Sequence, residues 1–315
     1  MRKLVFSVLV AVTTVTAWGQ VNLMEVMDRR LKLFAQLAED GIELNENVGK
    51  KKSAEDIIID HHYAKILNGR GNADDYYFYG LLLLIIGKDA SEYREAVECL
   101  EKFAKQGHKG SQYRLGTCYE SGKGVTKDAT EILKWYTKAA EQGHEKAKEK
   151  LNSAKTQWDL GAMFYDGAGA TKKDYAEAVK WFRKAAEQGH SDAQNMVGRC
   201  YKDGNGVTKD EAEAVKWFRK AAEQGNEFAQ YWLGICYAQG NGVQKDRVEA
   251  AKWYRKAADQ GHATAQYSLG VYYRFGMGGL SEDKAEATKW YKKAAGQGHE
   301  LSKKELEEMA KEEAK

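Results

Sequence analysis

The chain has 315 residues, of which 43% are hydrophobic and 30% charged, and a formal net charge of +3. That balance is ordinary for a soluble protein, and it lacks the basic surplus that a nucleic-acid-binding face needs; the densest basic cluster is Lys50, Lys51 and Lys52. Proline is absent, and 31 glycines provide the punctuation instead.

Residues 1–19 read as a signal peptide. Arg2 and Lys3 open it, Leu4 to Val15 is apolar apart from Ser7, Thr13 and Thr14, and Ala17 and Gly19 fit a cleavage site just before Gln20. The stretch is short for a membrane span, and no cysteine follows it for a lipid anchor. An uncleaved N-terminal anchor is the alternative. The mature chain is therefore expected to be exported, to the periplasm or outside the cell, without an integral membrane segment. The apolar run Leu81–Ile86 is too short to be one and reads as core.

Residues 20–71 lie outside the clear repeats and are expected to form a helical N-terminal cap. Leu23, Val26, Met27, Leu31, Phe34, Leu37 and Ala38 fall at steps of three and four and make one helical stripe. Asn45–Lys52 reads as a loop. Ser53 is placed to N-cap a second helix that ends at Gly69.

From about residue 72 to 298 a 36-residue phrase recurs, ending in near-copies of K-W-[FY]-x-K-A-A-x-Q-G-H. Its tryptophans are Trp135, Trp181, Trp217, Trp253 and Trp290, at spacings of 46, 36, 36 and 37. A fixed period of about 20–50 residues marks a solenoid, in which one repeat cannot bury its own apolar face. Each copy reads as two helices. The first carries [AST]-Q-x-x-[LV]-G-x-x-[YF], with a mid-helix glycine (Gly116, Gly161, Gly198, Gly234, Gly270) that costs about 1 kcal/mol against alanine. A cost paid in every copy implies close approach of a neighbouring helix. A turn such as Gly204–Asp210 follows, and its Asp can cap the second helix. The glycine of Q-G-H suits a left-handed helix end. Counting back, Gly80 and Cys99 hold the glycine and tryptophan slots of a degenerate first copy, so six repeats are expected. The third is irregular: His144 to Gly161 spans 17 residues where 8 is the rule. The nine extra residues imply a break near Asn152-Ser153, read either as a bend that shapes a binding surface or as a tolerated insertion. Residues 299–315 read as a C-terminal capping helix.

These motifs closely resemble those of the Sel-one-like repeat family, relatives of tetratricopeptide (TPR) repeats, over residues 72–298. The resemblance implies an all-α fold, a right-handed α/α superhelical solenoid of helix-turn-helix repeats whose first helices line a concave face. It further implies a non-enzymatic adaptor or scaffold that binds a protein or peptide partner. Certain exported relatives carry paired cysteines in each repeat and are linked to β-lactam binding. Cell-wall or small-molecule binding with weak β-lactamase-like activity is accordingly the second reading, although this chain lacks the cysteine pairs.

No catalytic, cofactor or metal site is expected. His108, His144, His190, His262 and His299 all sit in the Q-G-H junction, with Asn226 in the remaining copy. They lie on successive repeats about 10 Å apart, too far to share a metal. His61 and His62 are adjacent on a helix and point apart. The G-x-G-V turn lacks the Lys and the preceding strand of a phosphate loop. Cys118, Cys200 and Cys236 fall two residues after the mid-helix glycine. An antiparallel register about Q-G-H sets each level with the preceding tryptophan slot, so Cys200 should face Trp181, Cys236 should face Trp217, and Cys118 should face Cys99. Cys99–Cys118 is therefore a candidate disulfide in an exported chain, with buried free thiols as the alternative. Partner specificity is expected on the variable stripe of the first helices. The anchors there are Arg114, Asp159, Met196, Arg199, Phe228, Trp232, Ile235 and Phe275, with Trp232 and Phe228 alternatively packing between helices.

Overall fold

The computed structural model describes residues 73–86 and 89–313. The expected signal peptide, the expected N-terminal cap and His61-His62 lie outside the described residues. Among the described residues there are fourteen α-helices and no strand. In chain order they are α1 (Ala73–Ile86), α2 (Ala90–Ala104), α3 (Lys109–Ser121), α4 (Ala129–Glu141), α5 (Glu145–Asn152), α6 (Ala154–Asp166) and α7 (Tyr175–Glu187). Then follow α8 (Ser191–Asp203), α9 (Glu211–Glu223), α10 (Glu227–Gln239), α11 (Arg247–Asp259), α12 (Ala263–Arg274), α13 (Lys284–Gly296) and α14 (Glu300–Glu313).

Local chemistry sets the helix ends. Each second helix starts on an Asp in extended backbone; the Asp210 carboxylate accepts from Glu213 N at 2.9 Å, and Asp128, Asp174, Asp246 and Asp283 cap in the same way. The first helices α3, α8 and α12 start on the junction imidazole, and α6 starts on Ser153 with no side-chain capping bond. His262 Nδ1 accepts from Ala265 N at 3.1 Å, and the Asn226 carboxamide accepts from Ala229 N at 2.9 Å in the copy without histidine.

An imidazole that accepts at Nδ1 must be neutral. Burial holds His262, and likewise His299, below the ordinary value of 6.5. The stability these caps contribute is complete above 6.5 and is lost as pH falls through the lowered folded-state value. Melting temperature is thus expected to fall between about pH 7 and pH 5, before most carboxylates titrate. His262→Asn, which copies Asn226, should shrink that fall; an unchanged pH profile would clear His262 of the effect.

Packing explains the mid-helix glycines. A Cβ added at Gly198 would stand 2.7 Å from the Phe218 ring, and at Gly116, Gly161, Gly234 and Gly270 it would stand 2.5–2.7 Å from the rings of Tyr136, Phe182, Tyr254 and Tyr291. The bare glycine lets each second-helix aromatic lie flat on its own repeat's first helix.

A glutamine ladder joins the repeats. Gln194 is buried on α8; its Nε2 donates to Ala186 O of the preceding repeat at 3.0 Å, and its Oε1 accepts from Gln224 Nε2 at 2.6 Å. Gln112, Gln230 and Gln266 make the same two bonds.

The helices fall into two compact units that divide between Leu151 and Asn152. Helix α5, built from the extra residues after His144, closes the first unit. It opens like a first helix, with Ala147 fully buried, but ends after 8 residues. Its Lys150 stands six residues after His144 and bonds Glu120 of α3 at 2.8 Å, and Glu120 also accepts from Tyr136 OH at 2.7 Å. In the second unit, Glu305 of α14 stands six residues after His299 and pairs with Arg274, which lies four residues past Gly270 as Glu120 lies four past Gly116. Glu312 also binds Arg274, at 2.8 Å. At matching slots the two helices make ion pairs of reversed polarity, so the extra residues pack on the first unit as α14 packs on the second. The expected break is present: Ser153 lies in extended backbone between α5 and α6.

Candidate functional site

The stripe expected to carry specificity runs along the solvent side of the first helices. Arg114 belongs to the first unit, on α3, where its guanidinium lies 5.3 Å from the Tyr113 ring. The other seven residues fall in the second unit. Asp159 of α6 pairs with Lys155 at 2.7 Å. On α8, Met196 is half-buried, and its Sδ receives Arg199 Nη1 at 3.4 Å. On α10, Trp232 stacks on Phe218 with ring centres 6.1 Å apart and planes at 14°, and Lys202 lies 4.5 Å over its ring. Ile235 packs against the cluster of Ala250, Ala251, Tyr254 and Tyr272. Trp232 and Ile235 therefore hold neighbouring repeats together as well as reaching the surface. Phe228, at the start of α10, is 51% exposed although its ring meets His262 edge-on, and Phe275, closing α12, is 61% exposed. The sequence reading missed two further exposed apolar side chains, Val248 and Leu301. Leu301 stands two residues after His299 just as Phe228 stands two after Asn226, and aligning that slot would have found it.

The cysteine register differs from expectation. Cys236 shares a buried cluster with Phe218 and Trp253, and Cys118 shares one with Leu100 and Trp135. These two cysteines thus share a cluster with the tryptophan of their own repeat's second helix, whereas the turn-centred count pointed to the preceding tryptophan slot. Rings seated on the mid-helix glycines set the stagger, and a count about the turn does not include them. Cys99, Cys118, Cys200 and Cys236 are all free thiols in this structure. Burial pushes the Cys118 thiol up to about 12 and the other three up to about 11. The folded chain should therefore react slowly with a thiol reagent at about pH 8. Unfolding without reductant should release all four thiols; release of only two, with Cys99 and Cys118 the unlabelled pair in a peptide map, would establish that bridge.

The junction histidines have a second role besides capping. Three residues before every mid-helix glycine except Gly198 stands an aromatic ring that packs on the next junction imidazole. The pairs are Tyr77–His108, Tyr113–His144, Trp158–His190, Tyr231–His262 and Tyr267–His299, with ring centres 4.4–5.3 Å apart. These contacts give the junction histidines a packing role. Among the described residues no group of three or more His, Cys, Asp or Glu side chains could hold a metal ion. No described helix is long and apolar enough to cross a membrane.

The model of the Sel1 repeat matches residues 70–108, 110–144, 154–190, 191–226, 228–262 and 263–299. The stretch left between the second and third matches is α5 with Ser153. A Sel1 repeat protein from Oxalobacter formigenes is similar, at 35% identity and a TM-score of 0.50, over 73% of this chain and 86% of that one. A protective antigen of uropathogenic Escherichia coli strains, displaying an SLR fold, is 28% identical with a TM-score of 0.55, over 91% of this chain and 67% of that one. Curated proteins match over short segments only. The exopolysaccharide production negative regulator of Rhizobium leguminosarum bv. viciae is 44% identical over 55 residues, 18% of this chain and 21% of its own length. DAP3-binding cell death enhancer 1 of Rattus norvegicus is 38% identical over 60 residues, 19% of this chain and 12% of its own length.

Proposed function

Because the chain belongs to the Sel1 repeat family, whose members generally mediate protein–protein interaction, we propose that it is a non-enzymatic scaffold that captures a protein or peptide partner on the first-helix stripe of its second unit. One observation carries the reading. The repeat-locked aromatics Phe182, Phe218, Tyr254 and Tyr291 are buried, whereas Phe228 and Phe275, at slots the repeat leaves variable, are 51% and 61% exposed. Exposed aromatics beside half-buried Met and Arg are the usual composition of an interface.

Export belongs to the same proposal. The positive start at Arg2 and Lys3, the apolar run and the small residues before Gln20 support a cleaved leader. The intact mass of the chain recovered from the producing cell tests it, since a chain that retains residues 1–19 in the cytoplasm would reject export.

For the binding function, the purified chain is immobilised and challenged with the envelope and medium proteins of its native cell. A stoichiometric partner should be retained by the wild type and reduced about tenfold or more by Phe228→Ser with Phe275→Ser, at unchanged helicity. Equal capture by the variant would move the interface off this stripe.

A further inference from the structure

One repeat lacks the aromatic–imidazole pair that closes the other five. In residues 191–226 both slots hold asparagine, Asn195 on α8 and Asn226 at the head of α10. With both rings absent, polar groups remain without partners. Asn195 is only 7% exposed, and its Oδ1 has no hydrogen-bond partner among the described residues. One helical turn along the same face, the buried Nε of Arg199 also has none. A buried polar group left without a hydrogen bond is costly, and a ligand that supplies the bond recovers that cost.

The neighbours do not repair the loss. Asn226 spends its amide on Asp192 at 2.7 Å and its carbonyl on Ala229 N at 2.9 Å. Lys202 is paired with Asp203, so neither of these carboxylates is available to the guanidinium. Phe218, whose counterpart Phe182 packs on Trp158 from the same slot as Asn195, is covered instead by Trp232 of the next repeat. Phe228 stands exposed at the start of that same helix.

Resting on the binding function proposed above, we infer that this junction is a peptide-recognition subsite for an extended segment with an acidic residue next to an apolar one. Arg199 takes the carboxylate, Asn195 takes a main-chain N–H, and the apolar side chain lies against Trp232 and Phe228. Side chains four apart on a helix stand about 5–6 Å from each other, a distance that one or two residues of extended peptide span. Rotation of the Asn195 carboxamide about its soft χ2 turns the acceptor toward the ligand. A free inorganic anion would satisfy the guanidinium and leave the amide acceptor open, whereas a peptide supplies both groups. The recognition is a sum of two hydrogen-bonded contacts and one apolar contact, with a charge on the guanidinium that an acidic side chain neutralises.

The test pans a displayed library of random dodecapeptides on the intact chain. The selected sequences should pair Asp or Glu with Leu, Ile, Met, Phe or Trp within two positions. The best of them is synthesised and its Kd measured by fluorescence anisotropy. Arg199→Gln should weaken binding about tenfold or more. Asn195→Tyr with Asn226→His restores the ring pair found in the other repeats, so that variant should fold with an unchanged or raised melting temperature and lose the peptide. Absence of enrichment over an unrelated protein, enrichment of basic peptides, or a Kd that stays within about twofold in both variants would overturn the subsite. In that last case partner capture through Phe228 and Phe275 stands or falls on its own measurement, so the two readings fail separately.

Discussion

Gly206→Ala is expected to destabilise the second unit by roughly 3–5 kcal/mol, about the sum of a forbidden backbone conformation and an overpacked contact. Gly206 has φ +73°, which an alanine adopts only under strain. A Cβ there would also fall onto the carbonyl of Tyr175 and stand 2.7 Å from Ala176 N, in the first turn of α7. That turn cannot retreat, because the Asp174 side chain caps it through Glu177 N at 2.9 Å. Gly225 supplies the control. It has φ +91°, yet a Cβ added to it meets nothing within 4 Å. Gly225→Ala should therefore cost about 1–2 kcal/mol, from conformation alone. Denaturant unfolding of the two variants separates the terms; equal losses would show that the contact with α7 contributes nothing.

Breaking the glutamine ladder is expected to be the next largest effect. Gln194→Met keeps the length of the side chain but removes its bonds to the Ala186 carbonyl and the Gln224 amide, at a cost of roughly 1–3 kcal/mol for the two hydrogen bonds. Gln224→Ala should cost about 1 kcal/mol or less, because Gln224 lies at the exposed end of the chain of bonds. Amide hydrogen exchange would place the loss. Protection should fall first where α7 meets α8, and a uniform fall across the second unit would mean that the ladder does not bind that boundary in particular.

The helix pairs were legible because burying one face of each helix imposes steps of three and four, and the 36-residue period then fixes which pairs recur. The Asp caps were legible for an equally local reason, since an Asp beside a helix start has few other things to do, whereas the junction histidines were placed without their capping role. Depth and stagger were not. A stripe identifies the face on which Trp232 stands, but whether its ring covers Phe218 depends on Asn195, 37 positions earlier, having no ring of its own. The cysteine register failed similarly, because it is set by aromatic rings lying on glycines and not by counting residues about a turn. The extra residues after His144 were visible as a break, yet their role as a closing helix shows only in the ion pair of Lys150 with Glu120, whose sign is opposite to that of Glu305 with Arg274.

That closing helix bears on synthesis. The first unit, residues 1–151, is translated before the 164 residues of the second, 152–315. At roughly 5–20 residues per second the delay is about 8–30 s, far longer than a helical domain of this size needs to fold. The nascent chain should thus carry one finished block while its near-identical repeats are still being made. Neighbouring repeats of such similar sequence are prone to pair out of register, and helices already packed within the first unit are withdrawn from that competition before the later copies exist.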